Sequence, residues 1–393
     1  MAAKAKKLRA VVLGGCGAQG SFAVRDMLKR GVFEEIAVAD LNLEAAKKLA
    51  GELKSPRVSA RKVDILDAKS LRASIEDADL VMNCTGPYYL LAPKVVDAAI
   101  EAGKDYIDFC DDIAAHEEII KKNRKAVEKG LTILVGVGVS PGIAPLMVMH
   151  AASQMDEVDD VAFPQMIHDN EPEGPAVIYH MMANFFGKIP VIRGGKRVYL
   201  DAFEEEEEVD FGPPLGKGKV APFGHPEIFT LPRVLPGIKN MAIKIGSYPV
   251  EVYEAMKFLA QAGLASTDPL KVKGQDVVPR DFLISLLMSG RREEVQKTGY
   301  ISSMVVEVKG KKDGHAMTIR YNFNGLMGPN TGIPCSVGAE WIVQGKITKK
   351  GVVFPEECID PKPFIDEVLK RVGEVSPLSV KETVIVGRDW IQR

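Results

Sequence analysis

The sequence predicts an α/β protein built on a doubly wound parallel sheet, with an inserted second α/β domain that carries a mixed, largely antiparallel sheet. Three observations lead there. Short apolar runs alternate with amphipathic segments through the first third of the chain, the pattern of parallel strands joined by crossover helices. Gly15, Gly17 and Gly20 lie between the first apolar run, residues 8–13, and the first helical segment, residues 21–28. Further on the regularity changes to short alternating segments, such as residues 304–308 and 316–321, which suit antiparallel pairing with one face covered by helices.

Taken in order, strands are expected at residues 8–13, 36–40, 58–63, 80–83, 105–108 and 131–135, with helices at 21–28, 44–53, around Leu71, at 94–102 and at 114–129. The glycine- and proline-rich stretch 136–142 marks the exit from this first domain, placed at residues 1–139. The inserted domain is expected over 140–350, with a turn-like cluster at 309–314 between its two clearest strands. Five consecutive glutamates, Glu204 to Glu208, read as a solvated loop or strand edge rather than a cation site. An amphipathic helix at 363–369 and a strand at 381–386 are expected to pack back on the first domain, making 351–393 a C-terminal return.

A lone Gly-x-Gly-x-x-Gly is a weak signal, but here it follows a strand, opens a helix and precedes a second strand that ends in Asp40. That is the dinucleotide-binding fingerprint of the Rossmann fold. Gly15 is expected to make the tight turn, Gly17 to admit a pyrophosphate and Gly20 to let helix pack on strand. The phosphates would lie along Ala18, Gln19 and Gly20, on the N–H groups of the helix start. Asp40 would accept the adenine ribose hydroxyls and repel a 2′-phosphate, which favours NAD over NADP. The residues after it, Leu41, Asn42 and Leu43, bring no arginine, and Lys47 and Lys48 read as the solvated face of the next helix. Asp64 is either a partner for the adenine amino group or a helix-capping aspartate.

Composition bounds the class. A chain of 393 residues holds two domains, and a net charge of −2 from 51 basic and 53 acidic residues leaves no electrostatic footprint for nucleic acid or an anionic membrane. Small molecules are the expected partners. Cys16, Cys84, Cys110, Cys335 and Cys358 show no metal-ligand or disulfide spacing, so no metal is expected and a reduced, cytoplasmic setting is. The basic start, Lys4 to Arg9, imitates a signal peptide, but its apolar run is cut short by the glycine loop, and no segment is long and apolar enough to span a bilayer.

Ligands of an open parallel sheet bind beyond the carboxyl ends of its strands. After the fourth strand, Asn83 leads to Cys84, Thr85, Gly86 and Pro87, expected against the nicotinamide and its ribose. Tyr88 is there either a hydroxyl donor to substrate or a packed aromatic. After the fifth strand Asp108, Asp111 and Asp112 leave together. Asp112 is the expected cap of the following helix, and Asp108 and Asp111 are the candidates for a substrate ammonium group or a proton. Ser140, Pro141 and Gly142 after the sixth strand would either bind a carboxylate or form a hinge. In the inserted domain His180 and His225 are candidates for substrate contact, and Arg193, Arg197 and Arg233 for a substrate carboxylate.

These residues together resemble the saccharopine dehydrogenase family, in its saccharopine reductase-like and lysine 6-dehydrogenase-like branch. The likeness rests on the loop 14–20, on Asn83 to Tyr88, on Tyr106-Ile107-Asp108, on residues 139–143, and on 331–339 leading to 351–357. It implies a Rossmann domain with an inserted substrate domain, a dimer, and hydride transfer from the carbon–nitrogen bond of an amino acid or amine to the nicotinamide, with hydrolysis of the resulting imine. Two positions depart from the saccharopine reductases. Ser140 stands where an aspartate is expected, and Asp40 points to NAD where those enzymes favour NADP. Residues 172–177 have the position but not the spelling of the substrate-binding loops. A lysine-type deaminating dehydrogenase, and a nucleotide-binding homologue without turnover, stand as alternatives.

Overall fold

The computed structural model describes residues 7–168, 171, 175–184, 187–290, 301–387 and 389–392. Of the loop at 172–177, residues 172–174 fall outside the described residues, as does Lys4. The chain divides into two units. One runs to Leu146 and resumes over Met327–Ser376, and the other comprises Met147–Leu326 and the chain from Pro377 onward.

In the first unit the expected alternation is present. The strands are β1 (Arg9–Leu13), β2 (Glu35–Asp40), β3 (Val58–Lys62), β4 (Leu80–Asn83), β5 (Asp105–Asp108) and β6 (Thr132–Leu134). Between them run α1 (Gly20–Arg30), α2 (Leu43–Leu53), α3 (Ala68–Ile75), α4 (Tyr88–Ala102), α5 (Ile113–Ile120) and α6 (Asn123–Glu128), and α7 (Ile143–Ala152) follows. The helix expected at 114–129 is thus two, and the one expected from 94 begins at Tyr88. Local chemistry sets the ends: Asn42 accepts a hydrogen bond from Ala45 N at 3.1 Å to start α2, and Gly31 stops α1 in the left-handed conformation.

The second unit contributes β7 (Glu157–His168), α8 (Pro175–Asn184), β8 (Lys188–Arg193), β9 (Lys196–Asp201), β10 (Glu207–Asp210), β11 (Lys217–Pro222), α9 (Glu227–Val234), β12 (Asn240–Tyr248) and α10 (Val250–Leu259). A π-helical turn, Ala260–Leu264, leads to the hairpin β13 (Leu270–Val272) and β14 (Gln275–Val277), then to α11 (Pro279–Gly290), β15 (Ser302–Lys312) and β16 (His315–Gly325). The turn expected over 309–314 is tighter, made by Asp313 and Gly314 with φ of 48° and 76°, the conformation that matches strand twist in a two-residue hairpin.

The chain returns to the first unit through α12 (Met327–Val343), β17 (Gly351–Val353), α13 (Pro355–Cys358) and α14 (Pro361–Gly373), then leaves as β18 (Leu378–Val386) and β19 (Asp389–Gln392). This corrects the expected boundaries in two respects. Re-entry comes at Met327, because α12 packs on α1, with Gly328 over Phe22 and Gly332 over the carbonyl of Gln19. The strand expected to rejoin the first domain belongs to the second unit, where β18 pairs antiparallel with β16 from Met317↔Val386 to Gly325↔Leu378.

The first sheet is seven-stranded and parallel, in the order β17-β6-β5-β4-β1-β2-β3, so the strand order reverses between β1 and β4. The second is a ten-stranded mixed sheet with the path β10-β11-β12-β7-β15-β16-β18-β19, in which β12 and β7 are parallel. The glutamate run ends in β10 at its edge, as a solvated run should.

Candidate functional site

The chain turns off β1 at Gly14, whose φ of 70° and whose ideal Cβ, 2.8 Å from the Cys84 carbonyl oxygen, admit only glycine. The tight turn expected at Gly15 is therefore made one residue earlier, and Gly15 instead clears Val12. Gly20 opens α1 in close approach to Gly14 and Cys84, where a Cβ would stand 2.7 Å from the Gly14 carbonyl oxygen. Gly17 is exposed, and Ala18 and Gln19 are half-buried. Gln19 at the N-cap gives no side-chain hydrogen bond and the first turn of α1 has no acid, as an anion-binding helix start requires.

Asp40, at the end of β2, is held to this loop. Its Oδ2 accepts the Cys16 thiol at 2.9 Å and its Oδ1 accepts Asn42 N–H at 2.9 Å. Burial, and then the neighbouring carboxylate, push the Cys16 thiol up to about 12, so it stays protonated and donates. Asp64 is exposed and its Oδ1 accepts Leu66 N–H at 2.9 Å, holding a turn. The cap of α3 is Asp67, which accepts Lys69 N–H. Lys47 pairs with Glu44 on the solvated face of α2.

Beyond β4 and β5 the structure joins the predicted residues into a buried hydrogen-bonded chain. Thr85 N–H donates to Asn83 Oδ1 at 3.1 Å, Asn83 Nδ2 donates to the Tyr106 hydroxyl at 3.1 Å, and Tyr106 donates to Asp108 Oδ2 at 2.6 Å. Asp108 Oδ1 accepts from Gly136 N at 2.8 Å and Cys110 N at 3.1 Å. Asp108 is fully buried, and burial raises its carboxyl to about 6 against the opposing pull of these hydrogen bonds. The acid expected to face substrate therefore ties the end of β5 to the loop after β6. Tyr88 is also turned inward, its hydroxyl 3.4 Å from the Asn83 carbonyl oxygen and its ring edge-on to Phe109, the packed-aromatic alternative. Asp111 is half-buried at the same sheet edge, and Cys84, Gly86 and Pro87 lead from β4 into α4.

Asp112 differs from expectation. Its side chain does not cap α5, which it precedes; its Oδ2 accepts Tyr89 N–H at 3.0 Å and so caps α4. At 138–144 the N–H groups of Gly138, Ile143 and Ala144 are taken by the carbonyls of Pro141, Gly138 and Val139. Gly142, with φ of 122°, has a position for Cβ only 2.2 Å from the Gly138 oxygen. Ser140, Pro141 and Gly142 thus lie in a closed, hydrogen-bonded backbone turn.

The second unit holds its own buried polar group. His180, on α8, takes Asn184 Nδ2–H on Nδ1 at 3.1 Å, and its ring stands edge-on to His225 at 5.6 Å between centroids. His225 Nδ1 is hydrogen-bonded to Glu227 Oε2. Phe223 lies against both rings, and the side chains of His180, His225 and Glu227 are buried. Glu227 and Asn184 escaped the sequence reading, although His225-Pro226-Glu227 directly after an apolar strand is a local signal for such a pair. The arginines are at the surface: Arg193 pairs with Glu205, Arg197 lies over the Phe229 ring at 4.4 Å, and Arg233 is exposed in the last turn of α9. Among the described residues no helix is long and apolar enough to cross a membrane.

Comparison with known proteins identifies both parts of the chain. Residues 10–134 match the saccharopine dehydrogenase NADP binding domain and residues 138–374 the saccharopine dehydrogenase C-terminal domain. The chain is 25% identical over 390 residues to carboxyaminopropylagmatine dehydrogenase of Synechocystis, covering 93% of this chain and 95% of that one. It is 30% identical over 189 residues to the saccharopine dehydrogenase-like oxidoreductase of Rattus norvegicus, covering 44% of each. The fold is that of apo saccharopine dehydrogenase (L-Glu forming) from Saccharomyces cerevisiae, with a TM-score of 0.69 at 16% identity over 96% of this chain and all of that one. With both domains matched along most of its length, the chain belongs to the saccharopine dehydrogenase family and is a pyridine-nucleotide-dependent dehydrogenase.

Proposed function

We propose that this protein is an NAD-dependent dehydrogenase that oxidises the carbon–nitrogen bond of an amino acid or related amine, as a homodimer in the cytoplasm. The observation that carries the cofactor choice is Asp40, a carboxylate fixed to the nucleotide loop through Cys16 and followed by Leu41, Asn42 and Leu43 rather than by an arginine. Support for the substrate class comes from the Synechocystis relative, whose name describes an amine that carries a carboxyl group. The five free thiols suit a reducing compartment.

In this reading Gly15 to Gly20 hold the pyrophosphate and Asp40 the adenine ribose. Residues Cys84 to Pro87 border the nicotinamide, which supplies the hydride acceptor, and Asp111 receives the substrate ammonium group. Orientation does most of the work, since the amine needs only to lose a proton and present its carbon. The test is a panel of amino acids, diamines and opine-type secondary amines, scored for NADH formation at alkaline pH. Ammonia release identifies a primary amine and the lysine-type reaction; release of a second amine or amino acid identifies an opine-type substrate. NAD binding with no oxidation across the panel would leave the nucleotide-binding homologue without turnover. Asp40→Ala is expected to lower the preference for NAD over NADP by at least tenfold in kcat/KM, and an unchanged ratio would remove Asp40 as its cause.

A further inference from the structure

We infer that Cys16 is a positioning residue that sets the choice of dinucleotide, its thiol holding the Asp40 carboxylate in the orientation that takes a free adenine ribose and turns away a 2′-phosphate; this rests on the NAD reading above. The pair is assembled within the nucleotide loop and the strand beside it. Gly14 N–H donates to the carbonyl of Ala39 at 2.7 Å, which pins the start of the loop to the end of β2. Cys16 follows Gly14 by two residues and Asp40 follows Ala39 directly, so the two side chains meet beside that anchor, with Cys16 Sγ 2.9 Å from Asp40 Oδ2. Both residues are half-buried.

A carboxylate turns easily about its last side-chain bond, whose torsion is broad and two-fold. The N–H of Asn42 on Oδ1, at 2.9 Å, leaves that rotation open, and the thiol on Oδ2 closes it. Two anchors on different oxygens fix the carboxylate plane before the dinucleotide arrives, which lowers the ordering cost of binding. They also set how many acceptor positions remain. An ionised carboxylate offers about four lone-pair sites. The thiol and the amide take one on each oxygen, and what is left matches the two hydroxyls of an unphosphorylated adenine ribose.

Charge leads to the same choice. The thiol and the amide are neutral donors, and burial together with Asp40 itself keeps the thiol protonated. The negative charge of Asp40 is therefore oriented without being cancelled, as a lysine or arginine partner would cancel it. A 2′-phosphate meets a like charge that cannot swing aside. Without the thiol the carboxylate regains its rotation, and its grip on the ribose hydroxyls relaxes together with its exclusion of the phosphate.

Fluorescence titration with NADH and with NADPH tests this without knowledge of the amine. The unaltered protein should bind NADH more tightly. Cys16→Ala should raise the Kd for NADH and lower that for NADPH, cutting the preference about fivefold, a factor in keeping with one hydrogen bond from a weak thiol donor. Cys16→Ser keeps a donor and should restore most of the preference. In an Asp40→Ala background the same Cys16→Ala change should leave the preference where it was, because Cys16 acts through Asp40. A preference that Cys16→Ala does not move, a loss that recurs in full in the Asp40→Ala background, or Cys16→Ser behaving as Cys16→Ala does would overturn the role of Cys16 while leaving the NAD reading intact. An unaltered protein that binds NADPH more tightly than NADH would overturn both.

Discussion

Asparagine at position 108 separates what Asp108 contributes to the fold from any part in proton transfer. In the folded protein Asp108 gives up its proton near pH 6, against an ordinary value of 3.8, because burial disfavours its charge. The folded value lies above the unfolded one. The stabilisation this provides is therefore complete below about pH 3.8 and is lost as pH rises toward about 6. At 1.36 kcal/mol for each pH unit, that interval amounts to about 3 kcal/mol. Asparagine keeps an oxygen for Gly136 N–H and Cys110 N–H, and turns its NH2 toward the Tyr106 hydroxyl, which then has to accept. The hydrogen bond weakened there is worth about 1 kcal/mol at every pH. Urea unfolding of both proteins between pH 4 and 8 should find the unaltered chain about 1 kcal/mol more stable at the acid end, and Asp108→Asn about 2 kcal/mol more stable at neutrality. Amine oxidation should survive the substitution. A stability difference that does not vary with pH would refute the burial argument. A loss of turnover beyond 100-fold with NAD affinity intact would return Asp108 to the role of proton acceptor.

Two further substitutions test the seam between α12 and the nucleotide helix. In Gly332→Ala the new Cβ would lie 2.3 Å from the Gln19 carbonyl oxygen and 2.9 Å from Ala23 N, backbone atoms that cannot step aside. The overpacking outweighs the gain of about 1 kcal/mol in helix propensity, so a net loss of about 1–2 kcal/mol and a several-fold weaker Kd for NAD are expected; an unchanged Tm and Kd would contradict the packing. Arg371, buried on α14, donates to Asp26 and Glu340 at 2.8 Å each and also pairs with Glu367. Arg371→Met removes the cation these buried carboxylates share and should cost about 3–5 kcal/mol in urea unfolding, with Arg371→Lys recovering only part, since an ammonium cannot bridge them as a fork.

The nucleotide half was legible because its signals are local. β1, the glycine loop, α1 and the acid ending β2 follow one another in sequence, so Asp40 needed only order and spacing to be placed. The return helix α12 was not, since Gly328, Pro329, Gly332, Pro334 and Gly338 are poor helix formers, and its burial on nearly every side leaves no amphipathic stripe. Those glycines serve close approach to α1 and the sheet, which only the tertiary structure reveals. Alternation marked β18 as a strand but could not say which sheet it would join. The fate of the acids was hidden for the same reason: Asp108 is claimed by Tyr106, Cys110 and Gly136, and Asp112 by Tyr89, all partners set by neighbouring elements.

The re-entry at Met327 also orders the protein in time. As the chain emerges from the ribosome, β1 to β6 appear first, but β6 remains an unpaired sheet edge until residues 351–353 arrive as β17, and α1 has no partner on its α12 face until after residue 327. The domain that grips the dinucleotide is thus finished after the one inserted into it has been translated. A message that ends early, anywhere within the insertion, yields a chain lacking the second part of its nucleotide unit, α12 and β17 included.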